Sequence, residues 1–222
     1  MRQIYWILAM WLVLLHVYLG AAMPSLDGPT GLLTIPTAES LQFMEVNIGA
    51  DYLWSQSKAG EAWKIKANVG TFKNLELGVV GGTVPTEGAF LNIKYFLMAD
   101  AQRYPLSLAV GVQNLFSHSR TELYMVASKS FPYPIRLHLG FKAALTNADI
   151  IPYVMGGVEY FMSHPVSAVV DFTGGNKLYK FNAGIRWTVM DDLAVQIAFL
   201  DLGRTDQNGA SSTIGASFSR PF

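Results

Sequence analysis

From residue 43 to the end of the chain, apolar and polar side chains alternate in segments that are each followed by a turn. In segment 106–112 (LSLAVGV), every second residue is Leu or Val, and the residues between them are Ser, Ala and Gly. Segment 135–142 (IRLHLGFK) repeats the pattern with charged residues on the polar face. Because successive side chains of a β-strand point to opposite faces, a period of two predicts strands rather than helices.

Read in this way, the chain contains about twelve strands. They are predicted near residues 43–54, 62–72, 74–82, 89–98, 105–114, 121–131, 134–144, 150–161, 165–173, 177–189, 193–202 and 212–222. The connections between them alternate between tight turns, as at 73–74, and longer polar segments, as at 203–211. The connection at 99–105 is an exception, because the alternation predicts a tight turn there and the connection is longer. Neighbouring strands joined by short turns run antiparallel, so the prediction is an all-β, up-and-down antiparallel β-barrel.

Alternation alone does not tell which face of the barrel is inside. A soluble periplasmic barrel would hide its apolar face, whereas a transmembrane barrel would turn that face toward lipid. Three features favour the transmembrane barrel: the strands have the length of a tilted bilayer crossing, aromatic residues gather near strand ends, and only 14% of residues are charged. Ordinary soluble domains carry about 25% charged residues.

In a transmembrane barrel the polar face of each strand lines the lumen, and this face carries small residues with single charges between them. We predict that ten residues line the lumen: Glu45, Lys66, Glu76, Lys94, Arg136, His138, Lys142, Glu159, Lys180 and Arg186. Two interpretations of these charges stay open. They could pair with one another and fill the lumen, or they could line a narrow polar path.

The first 22 residues have the pattern of a cleavable signal peptide. Arg2 provides the positive start, an apolar stretch follows, and Gly20, Ala21 and Ala22 provide the small residues of a cleavage site. An uncleaved membrane anchor is the alternative, but the apolar stretch is short for a helical span. The expected organisation is a signal peptide at 1–22, a periplasmic segment at 23–42 and an outer-membrane barrel at 43–222 of a Gram-negative-type bacterium.

The last strand resembles the assembly signal that bacterial outer-membrane barrels present to the barrel-insertion machinery. Phe218 lies on its apolar face and Phe222 ends the chain, while Arg220 departs from the pattern. The expected partners are therefore outer-membrane lipid and this machinery.

The sequence offers little sign of enzyme chemistry. There is no Cys, no metal-ligand spacing and no cofactor motif, and the formal charge of zero gives no basic surface for nucleic acid. His118 lies between Ser117 and Ser119 in a predicted loop, which leaves an outer-membrane lipid hydrolase as an alternative. The third group of a catalytic triad cannot be identified, so a non-enzymatic protein without cofactors is the prediction.

Segment 28–41 (GPTGLLTIPTAESL) resembles the N-terminal signature of YjbH-like outer-membrane β-barrel proteins through Gly28, Gly31, Pro36, Thr37 and Ala38. Segment 72–82 is similar to the strand–turn–strand units of that family, whose larger members carry much more sequence. The resemblance implies an accessory role in exopolysaccharide production or export, with polysaccharide or envelope proteins as partners. It carries over no catalytic residue. A narrow passive channel for small polar solutes is the alternative.

The same segment is unsuited to a spanning strand, because Pro29 and Pro36 would interrupt a ladder of hydrogen bonds. Since it precedes a barrel whose first strand starts on the periplasmic side, we expect it to enter or cap the periplasmic mouth. The residues of this possible plug are Gly28, Gly31, Pro36 and Thr37.

Overall fold

The computed structural model describes residues 23–55, 60–100, 104–163, 165–175, 178–204 and 210–221. The predicted signal peptide and Phe222 lie outside the described residues. Within these ranges, no helix is both long enough and apolar enough to cross a membrane.

Twelve strands, all within these ranges, make up the wall of the molecule. They are β1 (Glu45–Ser55), β2 (Glu61–Phe72), β3 (Leu75–Gly82), β4 (Phe90–Met98), β5 (Ser107–Leu115), β6 (Arg120–Ser130), β7 (Ile135–Thr146), β8 (Ile150–Ser163), β9 (Val166–Gly175), β10 (Leu178–Met190), β11 (Leu193–Leu200) and β12 (Ser211–Pro221). Each predicted strand is present, and its ends lie within two residues of the prediction. The period of two therefore located the strands correctly.

The strands form one closed, antiparallel barrel in which each strand pairs with its neighbours in the chain. The ring closes where β1 pairs with β12, from Glu45 opposite Pro221 to Ser55 opposite Ser211. Closure leaves no sheet edge, which matters in lipid because an unpaired backbone group there costs several kcal/mol. The predicted fold is confirmed.

Side chains alternate across the wall in the sense expected of a membrane barrel. On β12, Ile214 and Phe218 are exposed while Thr213 and Ser217 are buried. A soluble barrel would have the opposite arrangement, with its apolar face buried and its polar face wet. The outer surface of this barrel is suited to lipid.

The two ends of the barrel differ. One end, which we call the turn end, contains the start of β1, the end of β12 and the tight turns at 73–74 and 191–192. The other, the loop end, contains the connections at 83–89 and 116–119.

Residues 23–42, which we call the lumen segment, lie inside the barrel. Seven of its apolar residues are buried: Met23, Leu26, Leu32, Leu33, Ile35, Ala38 and Leu41. Most of them pack in one apolar cluster with inward-facing residues of the wall, including Tyr124, Val126, Met155 and Val169. The lumen segment folds back on itself through a hydrogen bond of 2.8 Å from the Leu26 amide to the Leu33 carbonyl. The core of this protein is therefore the interior of the barrel, where wall and segment meet.

Candidate functional site: the occupied lumen

The residues predicted to line the lumen lie at inward-facing positions of the strands. Seven of them are buried: Lys66, Glu76, Lys94, His138, Lys142, Glu159 and Arg186. Glu45, Arg136 and Lys180 are partly buried, and Lys180 shares the face of β10 that carries Asn182 and Arg186. Neutral polar residues on the same faces were missed, namely Asn68, Asn92, Gln113, Ser128, Asn182 and Gln196. Their position in the alternation was the signal that could have identified them.

Most charges of the wall are paired with one another. Lys142 contacts Glu122 at 2.8 Å and Lys94 contacts Glu76 at 3.2 Å, while Lys66 forms an ion pair with Asp51. Such pairing is needed because a buried charge without a partner is costly. Of these groups, Lys66, Lys94 and Glu76 also form hydrogen bonds with the lumen segment.

Glu76 on β3 is the main acceptor for the lumen segment. Its carboxylate accepts hydrogen bonds from the Thr30 amide at 2.8 Å and from the Leu41 amide at 3.2 Å. Lys94 on β4 lies beside it and donates to the Thr30 carbonyl at 3.0 Å and to the carbonyl of Glu39. One ion pair of the wall thus holds two stretches of the segment together.

Asp171 on β9 provides a second attachment from a distant part of the chain. It accepts hydrogen bonds from the Thr34 amide at 2.7 Å and from the Ile35 amide at 3.3 Å. Asn182 on β10 donates to Asp171 at 2.6 Å and to the Thr34 hydroxyl at 3.0 Å. These contacts fix the middle of the segment against the β9–β10 wall.

Cationic and amide side chains of the wall satisfy carbonyl groups of the segment. Lys64 donates to the Leu26 carbonyl at 3.0 Å and Arg186 donates to the Gly31 carbonyl at 3.1 Å. Asn68 donates to the Gly28 carbonyl at 2.8 Å. These carbonyls do not pair with a neighbouring strand, so side chains of the wall donate the hydrogen bonds that a neighbouring strand would otherwise donate.

At the turn end, the segment is held near residues 38 and 39. The Ser128 hydroxyl accepts a hydrogen bond of 2.9 Å from the Ala38 amide and lies 2.7 Å from Nδ1 of His138. Glu39 forms an ion pair of 3.5 Å with Arg136. Desolvation by burial raises the pKa of Glu39, but attraction by His138 and Arg136 together with hydrogen bonds outweighs it, so that the net pKa is lowered.

At the loop end, the segment presents Asp27. Its carboxylate lies 3.2 Å from the Lys64 ammonium. Burial raises the pKa of Asp27, but attraction by Lys64, Lys142 and Arg120 and a hydrogen bond from Lys64 outweigh it and lower the pKa. Beside Asp27 lies a cleft of about 150 Å³, lined by Asp27, Lys64, Val80, Val84, Pro85, Phe90 and Asn114. The lumen segment therefore reaches from one end of the barrel to the other.

The residues proposed from sequence as a plug all lie within this segment and are buried. Gly28 has a φ of 113°, and a Cβ there would lie 2.1 Å from Nδ2 of Asn92. A Cβ on Gly31 would lie 2.2 Å from the Ile35 carbonyl oxygen. Only glycine fits at these two places, where the segment folds tightly against itself and the wall. Pro36 faces Gly31 in an isolated bridge.

The loop around His118 is exposed and is organised by Glu87. The Glu87 carboxylate accepts hydrogen bonds of 2.9 Å from the Ser117 hydroxyl and from the His118 amide. Among the described residues, no hydrogen bond joins the His118 ring to a serine hydroxyl, which is the contact that a hydrolytic pair requires.

Phe218, the described half of the proposed assembly signal, is exposed on the outer face of β12 together with Arg220. Recognition of this strand by the insertion machinery stays a prediction.

No family model and no curated protein matches the chain. Solved structures with the same fold include the NanC porin, with a TM-score of 0.58, 13% identity and coverage of 78% of this chain and 98% of that chain. The KdgM porin has a TM-score of 0.59 and 8% identity over 78% of this chain and 98% of that chain. The COG4313 outer membrane channel from Pseudomonas putida F1 has a TM-score of 0.56 and 11% identity over 82% of this chain and 98% of that chain.

These likenesses concern the fold. The fold they share with this chain is that of bacterial outer-membrane barrels, and the apolar outer surface of the described strands agrees with it. The chain is a twelve-stranded transmembrane β-barrel of the bacterial outer membrane.

Proposed function

We propose that this protein is a narrow passive channel for small polar solutes and that the lumen segment closes it. The observation that carries the proposal is the polar lumen. Polar side chains of the wall hold the lumen segment there by hydrogen bonds, and the segment is not a strand of the sheet. Departure of the segment would leave a passage lined by amide, carboxylate and ammonium groups, with the apolar side chains of the wall cluster, such as Val126 and Met155, between them. Such a lining suits polar solutes, as in porin-type barrels.

The way the segment is joined to the wall supports a removable closure. The ring of strands closes between β1 and β12, starting at Glu45, without any contribution from residues 23–42. The described bridges of the segment, such as Pro24 with Thr30, lie within the segment itself. Its departure would therefore leave the interstrand ladders of the barrel intact.

The shared fold gives further support for a protein of the porin and channel class. NanC and KdgM are named as porins and the COG4313 protein as an outer membrane channel. Because one fold can serve several functions, this likeness adds to the argument from the lumen and does not replace it.

The test is single-channel recording in planar bilayers with the full chain and with a variant that lacks residues 24–41. We expect the full chain to be closed most of the time and the deletion variant to give frequent, larger current steps. Heat-modifiable mobility on gels serves as the control that the deletion variant has folded. A folded deletion variant that never conducts would contradict the proposal.

The accessory role in exopolysaccharide production or export rests on the YjbH-like resemblance and stays a prediction, as do its polysaccharide and envelope partners. A non-enzymatic function is part of the present proposal. Lipid hydrolysis by the purified barrel that disappears in a His118→Ala variant would contradict it.

A further inference from the structure

Three cations of the wall act on one carboxylate at the loop end of the lumen. Lys64 on β2 contacts Asp27 directly at 3.2 Å, and Lys142 on β7 and Arg120 on β6 attract the same carboxylate. Among the described residues, Asp27 is the only carboxylate within ion-pair distance of Lys64. The direct ion-pair partner of Lys64 is therefore on the lumen segment.

The wall has fewer carboxylates than cations at this place. Glu122 on β6 forms ion pairs with both Arg120 and Lys142, at 2.8 Å for the latter. Two cations therefore share one carboxylate of the wall. Asp51, opposite Lys64 in the β1–β2 ladder, is already paired with Lys66. When Asp27 leaves with the segment, these four cations of the wall share two carboxylates, Asp51 and Glu122, so that the local charge becomes an excess of two positive charges.

Apolar groups adjoin these cations on two sides. Val80 and Phe90 line the cleft beside Lys64 and Asp27. On the other side, the Tyr153 ring lies 5.0 Å from the Arg120 guanidinium carbon and 5.9 Å from the Lys142 nitrogen. A cleft with mostly apolar walls and a few convergent charged groups is the usual form of a site for a small ligand.

We propose that the loop end of the lumen is a binding site for a small carboxylate-bearing solute and that the Asp27 carboxylate occupies the place of the solute's carboxylate when the channel is closed. Lys64 is the direct ligand of that carboxylate, and Arg120 and Lys142 favour its negative charge. The adjoining apolar walls pack against the carbon skeleton of the solute. This inference rests on the proposed channel function and names the class of solute that the channel accepts.

The binding test uses the detergent-folded full chain and a matched pair of probes, glucuronate and glucose, which differ in one carboxylate. In an Asp27→Asn variant, we expect glucuronate to bind about three- to tenfold more tightly than to the parent chain, measured by calorimetry, because an internal competitor has been removed. Glucose binding is expected to stay unchanged. In the double variant Asp27→Asn, Lys64→Gln, the gain is expected to disappear.

An Asp149→Asn variant is the matched control, because Asp149 is an exposed acidic residue in a loop at the same end of the barrel. It is expected to bind both probes like the parent chain. The barrel without residues 24–41 provides a second route to the unoccupied site and is expected to bind glucuronate as the Asp27→Asn variant does. Glucuronate affinity equal to that of the parent chain in both the Asp27→Asn variant and the barrel without residues 24–41 would overturn the inference.

Ion selectivity separates this inference from the channel proposal. Under a gradient of KCl, the barrel without residues 24–41 is expected to give a reversal potential that favours anions, and Lys64→Gln is expected to reduce that preference. A deletion variant that conducts without preferring anions would overturn the carboxylate site and leave the channel proposal intact. A folded variant that does not conduct would remove the channel proposal, and glucuronate binding would then decide the site by itself.

Discussion

The carboxylate of Glu76 binds Thr30 with both of its oxygens: Oε1 accepts a hydrogen bond of 2.8 Å from the Thr30 amide and Oε2 one of 2.7 Å from its hydroxyl. Glu76 belongs to the wall and Thr30 to the lumen segment, so this contact joins two parts of the protein that share no strand ladder. Both residues are buried. A charged acceptor makes these bonds stronger than neutral ones.

The first prediction concerns this contact. Glu76→Gln is expected to weaken the docking of the lumen segment, because it removes a charged acceptor and leaves Lys94 without its carboxylate partner. A hydrogen bond to a charged group contributes about 1.5–3 kcal/mol, so the open fraction of the channel should rise by roughly tenfold or more. Single-channel recording measures that fraction. Asp149→Asn is the control, and equal open fractions in the two variants would contradict the prediction.

The second prediction uses a close approach between wall and segment. A Cβ on Gly70 of β2 would lie 1.9 Å from the carbonyl oxygen of Gln42 and 3.1 Å from that of Leu41. Gly70→Ala is therefore expected to displace the segment where it leaves the lumen and to speed hydrogen exchange at the Leu41 amide. Gly81→Ala is the control, because a Cβ there meets its nearest neighbour, Ala89, at an ordinary 3.4 Å. Slow exchange in both variants would show that the contact can relax without freeing the segment.

The third prediction is a dependence on pH. The pKa values of Asp27 and Glu39 are lowered from their ordinary values of 3.8 and 4.5 by neighbouring cations, despite burial. A carboxyl group whose pKa is lower in the docked state stabilises docking above its ordinary pKa and loses that effect as the pH falls through the lowered value. The open fraction is therefore expected to rise as the pH falls below about 4.

Carboxylates of the wall, such as Glu76, also hold the segment, so a variant is needed to isolate the effect of Asp27 and Glu39. The double variant Asp27→Asn, Glu39→Gln keeps the wall unchanged. Its open fraction at pH 7 should exceed that of the parent chain, and its rise between pH 7 and pH 3 should be smaller. If the open fraction of the double variant rose as much as that of the parent chain between pH 7 and pH 3, the acid response would come from the wall alone and the prediction would be wrong.

The wall of this protein could be predicted from sequence because its pattern is local. Alternation over a few residues, as in segment 135–142, gives the strand, its inward face and the side chains on that face. The same alternation predicted that Lys94 and Glu159 face the lumen. It did not draw attention to Ser128 or Asn92, because neutral polar residues also occur widely on solvated faces.

The lumen segment could be predicted only in outline, for a physical reason. It has no period, and its partners are distant in the chain: Thr34 and Asp171 are separated by 137 positions. Its composition excluded a spanning strand, but whether it would cap the mouth or run through the barrel depended on contacts that no local pattern contains. The charge at the loop end likewise arises only when Asp27, Arg120 and Lys142 are brought together by the closed ring.

The last prediction ties the segment to the wall covalently. A Cβ on Gly157 of β8 would lie 2.3 Å from Cδ1 of Leu32, so that cysteines at positions 32 and 157 would have neighbouring side chains. The chain contains no Cys, and the Leu32→Cys, Gly157→Cys variant can therefore form only this intramolecular disulfide. Oxidised, the variant is expected to stay closed even at acidic pH. Reduced, it is expected to open at least as readily as the parent, because Cys at position 32 loses the packing of a buried Leu. The matched controls are the two single-cysteine variants, whose currents should not respond to the reductant. Conductance of the oxidised double variant equal to that of the reduced form would mean that solutes pass without movement of the segment, and would contradict its role as the closure of the channel.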